Sequence, residues 1–171
     1  GERSEEFVRP VHWVVLMLGD QVIPGRVLGT DAGGSTRGHR FHHPDTLEIP
    51  SPAAYADLLR DTGKVVADLD QRKRMIRQQV EQVASSAGAR AVVDPDLLDE
   101  VSALVEWPVA ILGRFDPRFL EVPAEALVKT MQEHQKYFPV VNGQGELQPS
   151  FIAVANIESR EPEQVRSGNE R

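Results

Sequence analysis

Proline placement constrains this chain more than any other feature. Ser51-Pro52 and Asp94-Pro95 each set a side-chain oxygen, able to accept free backbone N–H groups, ahead of a residue suited to a first helical turn. A helix is expected after each pair. In the first, Tyr55, Leu58 and Leu59 share one face, and Gly63 ends the helix. In the second, Leu97, Leu98, Val101, Leu104 and Val105 form the apolar face, and Trp107-Pro108 stops it. Between them, Asp68 to about Ser85 reads as a long polar helix with a narrow apolar stripe of Leu69, Met75, Ile76, Val80 and Val83. Pro123 opens a further helix through about Gln135, with Ala126, Leu127, Thr130 and Met131 facing inward.

The remaining stretches carry strand and loop signals. Val11 to Leu18 is almost continuously apolar and is followed by Gly19-Asp20, so two strands joined by a tight turn are expected. Pro24-Gly25 should give the second strand a bulge or an edge position. The small, polar residues Asp31 to Gly38 read as a loop, with a short strand near Leu47-Glu48-Ile49. Lys64 to Ala67 could be a strand or a linker turn. Val109 to Leu112, Tyr137 to Val141 and Phe151 to Ile157 read as strands, the last two joined by a hairpin turn at Asn142 to Gly145. Strands and helices mix without regular alternation. The expected class is α+β, with a mixed, largely antiparallel sheet and several packed helices. The expected organisation is a flexible lead-in over 1–10, one α+β domain over 11–157, and a linker over 158–171.

Charge and composition narrow the function classes. Lys and Arg number 19 against 26 Asp and Glu, a formal net charge of -7. A free-standing nucleic-acid binder carries the opposite sign, so any RNA contact is expected through a local patch. The absence of cysteine excludes disulfides, thiolate zinc sites and a Cys nucleophile, and fits a reducing compartment. No apolar run reaches the roughly 18 residues of a membrane span. The charged start Gly1 to Glu6 is not expected to be a signal peptide, and both ends read as cuts in a longer chain.

Four constellations could carry chemistry. His39 and His43 have the spacing of a helical zinc pair, but Gly38 and Pro44 place them in a loop, and polar loop residues without metal are expected. Strand alternation would put Arg37 and His39 on one face and Arg40 on the other. These three could contact phosphate, or pair with the chain's own carboxylates. Lys73, Arg74 and Arg77 share a helix face, either as an RNA-facing ridge or as a solvated face paired with Asp68, Asp70 and Glu81. Lys136 and His134 could line a cleft beside Tyr137, which could stack on a base but is better suited to packing. Trp107 and Phe138 are expected as core anchors. No phosphate-cradling Gly-rich loop and no Ser-His-Asp arrangement occurs, so no catalytic residue is expected.

Seven segments taken in order carry a family resemblance. They are Phe7 to His12, Arg37 to Phe41, Leu104 to Pro108, Val122 to Leu127, His134 to Val140, Phe151 to Ile157 and Ser167 to Glu170. Together they resemble the beta subunit of the bacterial, tetrameric glycyl-tRNA synthetase, and the similarity covers about the whole chain. The resemblance implies part of a class II ligase that joins glycine to tRNA(Gly) using ATP in the cytoplasm. It implies that ATP, with Mg, and glycine bind to an alpha subunit, and that this segment holds no cofactor. The implied partners are the alpha subunit, the rest of the beta subunit and tRNA(Gly), in a heterotetramer. It also implies an editing-like module ahead of a His-Asp-type domain. On this reading Arg37, His39, Arg40, Lys73, Arg74, Arg77 and Lys136 are the candidate tRNA contacts. The alternatives are a purely structural domain and, with only fold analogy behind it, an editing-type aminoacyl-tRNA hydrolase.

Overall fold

The computed structural model describes residues 9–158. The chain divides into two compact units, Gly1–Ala67 and Asp68–Arg171. Of the expected lead-in only Arg9 and Pro10, and of the expected linker only Glu158, lie within the described residues. The motif Ser167 to Glu170 lies outside them.

The first unit is made of short strands. They are β1 (Val14–Val15), β2 (Met17–Leu18), β3 (Gln21–Val22), β4 (Arg26–Val27), β5 (Thr30–Gly33), β6 (Ser35–Arg37) and β7 (Thr46–Glu48). β1 runs parallel to β5, which pairs antiparallel with β4. β2 and β3 form a hairpin across Gly19-Asp20, as expected, and β6 pairs with β7. The expected second strand breaks at Pro24-Gly25, where proline has no N–H to give a ladder. The stretch Asp31 to Gly38, expected as a loop, instead supplies β5 and β6. Its small residues allow close packing: a Cβ on Gly34 would stand 2.9 Å from Val22 Cγ2.

Ser51 does not cap a helix with its side chain. Pro52–Ala54 is a 3-10 turn that leads into α1 (Tyr55–Asp61). Leu59 is buried, with Tyr55 and Leu58 half-buried beside it. Gly63 follows the helix, but the left-handed residue is Lys64, with φ 57°. Gly63 is needed for contact instead. The His39 N–H donates to the Gly63 carbonyl at 2.6 Å, and a Cβ on Gly38 would stand 2.7 Å from that same oxygen. Lys64 to Ala67 is neither helix nor strand.

The second unit holds α2 (Leu69–Ser86), β8 (Arg90–Ala91), α3 (Pro95–Leu104), β9 (Val109–Arg114), α4 (Ala124–Thr130), β10 (Phe138–Val141) and β11 (Leu147–Ala155). The strands form an antiparallel sheet in the order β8-β10-β11-β9. The side chain of Asp94 accepts the Leu97 N–H, so Asp94 caps its helix as expected, and Asp68, read from the sequence as the first residue of a helix, caps α2 by accepting the Gln71 N–H. Ile76 and Val80 of α2, together with Ala84, pack with Leu97, Leu98 and Val101 of α3 and with Phe138, Val140 and Ile152 of the sheet. With these helices and strands the fold is α+β.

Several expectations shift in detail. Leu69 and Leu104 point outward, at 44% and 62% exposure. α3 ends at Leu104, before Trp107-Pro108, and Val105 is extended. The Arg72 guanidinium explains the early end, since it donates to the Ser102 and Val105 carbonyls at 2.8 and 2.7 Å. α4 gives way at Met131–Gln135 to a π-helical turn. Leu127 and Met131 pack inward, whereas Ala126 and Thr130 are exposed, the Thr130 hydroxyl donating to the Ala126 carbonyl. β11 starts at Leu147, ahead of the expected Phe151, and β8 has no counterpart in the sequence reading. Phe138 is fully buried, but Trp107 is half-buried and donates its indole N–H to Glu158.

Candidate nucleic-acid interface

Helix α2 sorts its basic residues by task. Its length and the Asp68 cap fix the helical phase, and the buried stripe of Ile76, Val80 and Ala84 fixes the orientation. Arg72 then points toward the end of α3. Lys73, Arg74 and Arg77 fall together on a groove of about 300 Å³, with Asp70 on the same helix and Pro95, Leu98 and Asp99 opposite. Lys73 lies 2.7 Å from Asp99, and Arg77 lies 3.8 Å from Glu81 one turn on. Arg74 is exposed and forms no ion pair among the described residues. The groove thus carries three cations and two carboxylates, with Arg74 uncommitted. Burial lowers the pKa of Arg72, with nearby Glu106 opposing the shift.

The expected set around Arg37 separates. β6 ends at Arg37, so strand alternation does not reach His39 or Arg40. The Arg37 guanidinium lies over the Trp13 ring at 5.6 Å, and that of Arg40 over Phe41 at 5.7 Å. Both remain exposed. His39 is 1% exposed, and its Nδ1 accepts the N–H groups of Phe41 and His42, each at 3.2 Å. His39 therefore closes the turn Gly38 to His43 from inside, where a phosphate does not reach it. Among the described residues no group of three His, Asp or Glu side chains could hold a metal ion.

Lys136 is also committed. Its ammonium sits 2.8 Å and 2.9 Å from the two carboxylate oxygens of Glu100. The surrounding hollow holds Asp94, Asp96 and Glu133 as well, an environment that repels phosphate. The Tyr137 ring stacks on Phe151 at 4.3 Å and 10° and is taken up in packing. Burial raises its pKa. Arg72 stood out in the sequence only as part of a charge run. No local signal distinguishes it from Arg74, because the difference lies in helix phase against α3.

The family described as "Glycyl-tRNA synthetase beta subunit" matches residues 1–171. This chain belongs to that family. It is 56% identical to the "Glycine--tRNA ligase beta subunit" of Hahella chejuensis, over all of this chain and 25% of the relative. The corresponding subunits of Marinobacter nauticus and Pseudomonas syringae are 54% and 51% identical over the same shares. The chain thus spans about a quarter of the length of the curated relatives it matches. Within this glycyl-tRNA synthetase beta-subunit segment, the motifs that carried the resemblance fall mainly in packing. Phe138, Val140, Phe151 and Ile152 are buried, and Asn156 binds the backbone of Glu106 and Trp107. No helix of the described residues is long and apolar enough to cross a membrane.

Proposed function

We propose that this chain is a non-catalytic, tRNA-handling and scaffolding segment of a glycine–tRNA ligase. The whole enzyme joins glycine to tRNA(Gly) with ATP and Mg bound by its alpha subunit, as a cytoplasmic heterotetramer. This segment contributes phosphate contacts and architecture. The observation that carries the tRNA part is the exposed, uncommitted guanidinium of Arg74 on the groove it shares with Lys73 and Arg77. In a chain of net charge -7, that local cluster is the kind of patch an RNA backbone needs. Arg37 and Arg40, each resting on an aromatic ring, supply two further exposed cations.

The test is steady-state aminoacylation by the intact alpha–beta enzyme carrying Arg74→Ala and Arg77→Ala. KM for tRNA should rise severalfold at moderate salt, with KM for glycine and ATP unchanged, and the salt slope of tRNA binding should fall by about one per contact removed. An unchanged KM for tRNA with an unchanged salt slope leaves only the scaffolding role.

Editing is not part of the proposal. Every competitor of glycine is larger, so a tight pocket rejects it by steric clash and a second hydrolytic step has little to correct. Rapid deacylation of alanyl-tRNA(Gly) by the intact beta subunit would refute this.

A further inference from the structure

The first unit carries an apolar surface that nothing within the described residues covers. Trp13, Leu16, Val22, Val27 and Leu28 are between 40% and 46% exposed and come from consecutive short strands and turns. Leu18, by contrast, pairs with Gln21 and so lies on the other face of its hairpin from Met17 and Val22. A groove of about 520 Å³ continues among Trp13, Val15, Leu16, Met17 and Tyr55. Exposed apolar surface on this scale marks an interface.

The hairpin tip at Leu28 gives a second, independent indication. β4 and β5 pair Val27 with Thr30, leaving Leu28 and Gly29 as a two-residue turn. Both have positive φ, 48° and 73°. Such turns favour Asn, Asp or Gly, and a leucine in the left-handed region crowds its Cβ against the following carbonyl at a cost in stability. Burial within this segment does not offset that cost, because Leu28 is 42% exposed. The Arg26 side chain donates to the Gly29 carbonyl at 3.0 Å and holds the turn in place. The chain thus holds a large apolar side chain outward in an unfavourable conformation.

We infer that this face is a docking surface for an apolar segment of the same beta-subunit polypeptide, from the length of the relatives that this chain does not span. The inference rests on the reading of the chain as a segment of that subunit, and is independent of tRNA contact. Three observations select the occupant. The chain covers only 25% of each relative, so most of the subunit is available to cover it. Two cations stand among these strands: Arg26 is turned to Gly29 and Asp31, and the Arg37 guanidinium lies over the Trp13 ring, so the apolar side chains away from Trp13 offer little to a phosphate backbone. A surface this apolar invites aggregation while uncovered, and a segment of the same polypeptide covers it on folding without awaiting a second chain.

The experiment places the photo-crosslinker p-benzoylphenylalanine at Leu16, and separately at Leu28, in the full-length beta subunit assembled with its alpha subunit and tRNA. The expected product is a link to a peptide elsewhere in the same beta polypeptide, with monomer mass on a denaturing gel. A link to the alpha subunit, to a second beta subunit at doubled mass, or to tRNA overturns the inference. So does failure to link to any chain. As a check that does not depend on the bulky probe, maleimide should label Leu28→Cys in the native beta subunit at least tenfold more slowly than in urea. Equal rates overturn the inference as well. The tRNA KM test of the α2 arginines reads a different surface, so either proposal can fail alone.

Discussion

The carboxamide oxygen of Asn156 accepts the backbone N–H of Trp107 at 2.9 Å. The same oxygen accepts the Glu106 N–H at 2.6 Å. The β9–β11 ladder ends at the pair Val109 and Ala155, so Asn156 continues the pairing by side chain where proline at 108 has no N–H to offer. Two motifs some fifty residues apart are joined in this way.

Asn156→Ala removes the shared acceptor of two backbone N–H groups, which water can partly replace, and should destabilise the second unit by about 0.5–1.5 kcal/mol. Asn156→Asp keeps an acceptor in place and should lose less. Urea unfolding of the beta subunit, followed by hydrogen exchange in β9, checks both. Equal losses in the two variants would show that the acceptor is not what matters.

Gly113→Ala should fail for a steric reason. The Phe151 ring lies over Gly113, and a Cβ there would fall 2.3 Å from Phe151 Cζ. Tyr137 stacks on the other side of that ring, so the ring has little freedom to retreat. The expected cost is about 1–3 kcal/mol. In a Phe151→Leu background, itself destabilised, the further cost of Gly113→Ala should shrink. A double-mutant cycle on unfolding midpoints measures the coupling, and additive losses would contradict it.

These contacts show what could be read from the sequence and what could not. Asp94 was legible as a cap because capping is decided within three residues, whereas Asp68 was read only as the start of a polar helix. Ile76, Val80, Leu97 and Val101 were legible because helical periodicity puts them on one face. Asp31 to Gly38 was not, because its strands are set by pairing with β1, β4 and β7 and by Val22 packing against Gly34, not by β-propensity. His39 was misplaced for the same reason. Its ring turns inward only because the Gly38 and Gly63 backbones meet. At the candidate interface, sequence identified the α2 cations as a group. The division of Arg72, Lys73 and Arg74 among an α3 cap, an ion pair and open solvent depends on how α2 is phased against α3.

Arg72 and Arg74 should accordingly behave differently. Arg72→Ala leaves the Ser102 and Val105 carbonyls without their charged donor, at a cost of about 1.5–3 kcal/mol. Arg72→Lys should recover only part of this, because one ammonium does not reproduce the fork of a guanidinium. Arg74→Ala should change stability by no more than about 0.5 kcal/mol, while weakening tRNA binding. Unfolding midpoints of the three variants, set beside tRNA affinities, separate the roles. A large stability loss in Arg74→Ala would move Arg74 into the scaffold.

Acid dependence offers a last check on local geometry. The Asp116 carboxylate accepts the Arg118 guanidinium N–H at 2.8 Å and the Arg118 backbone N–H at 3.0 Å. The side-chain bond first, and then the backbone bond, hold its pKa below the ordinary aspartate value. A depressed folded pKa contributes stability above the unfolded value, and that contribution is lost as pH falls through the folded value. Asp116 caps the 3-10 turn Pro117–Glu121, and in Asp116→Asn that cap survives, since Asn also caps well, but the titrating charge is gone. Wild type should exceed Asp116→Asn in stability above about pH 5, with the gap closing below about pH 4, near the unfolded aspartate value. The pair is exposed, so the gap should be small and should narrow in high salt. A gap that holds constant from neutral to acid pH would mean that the Asp116–Arg118 contact does not act through charge.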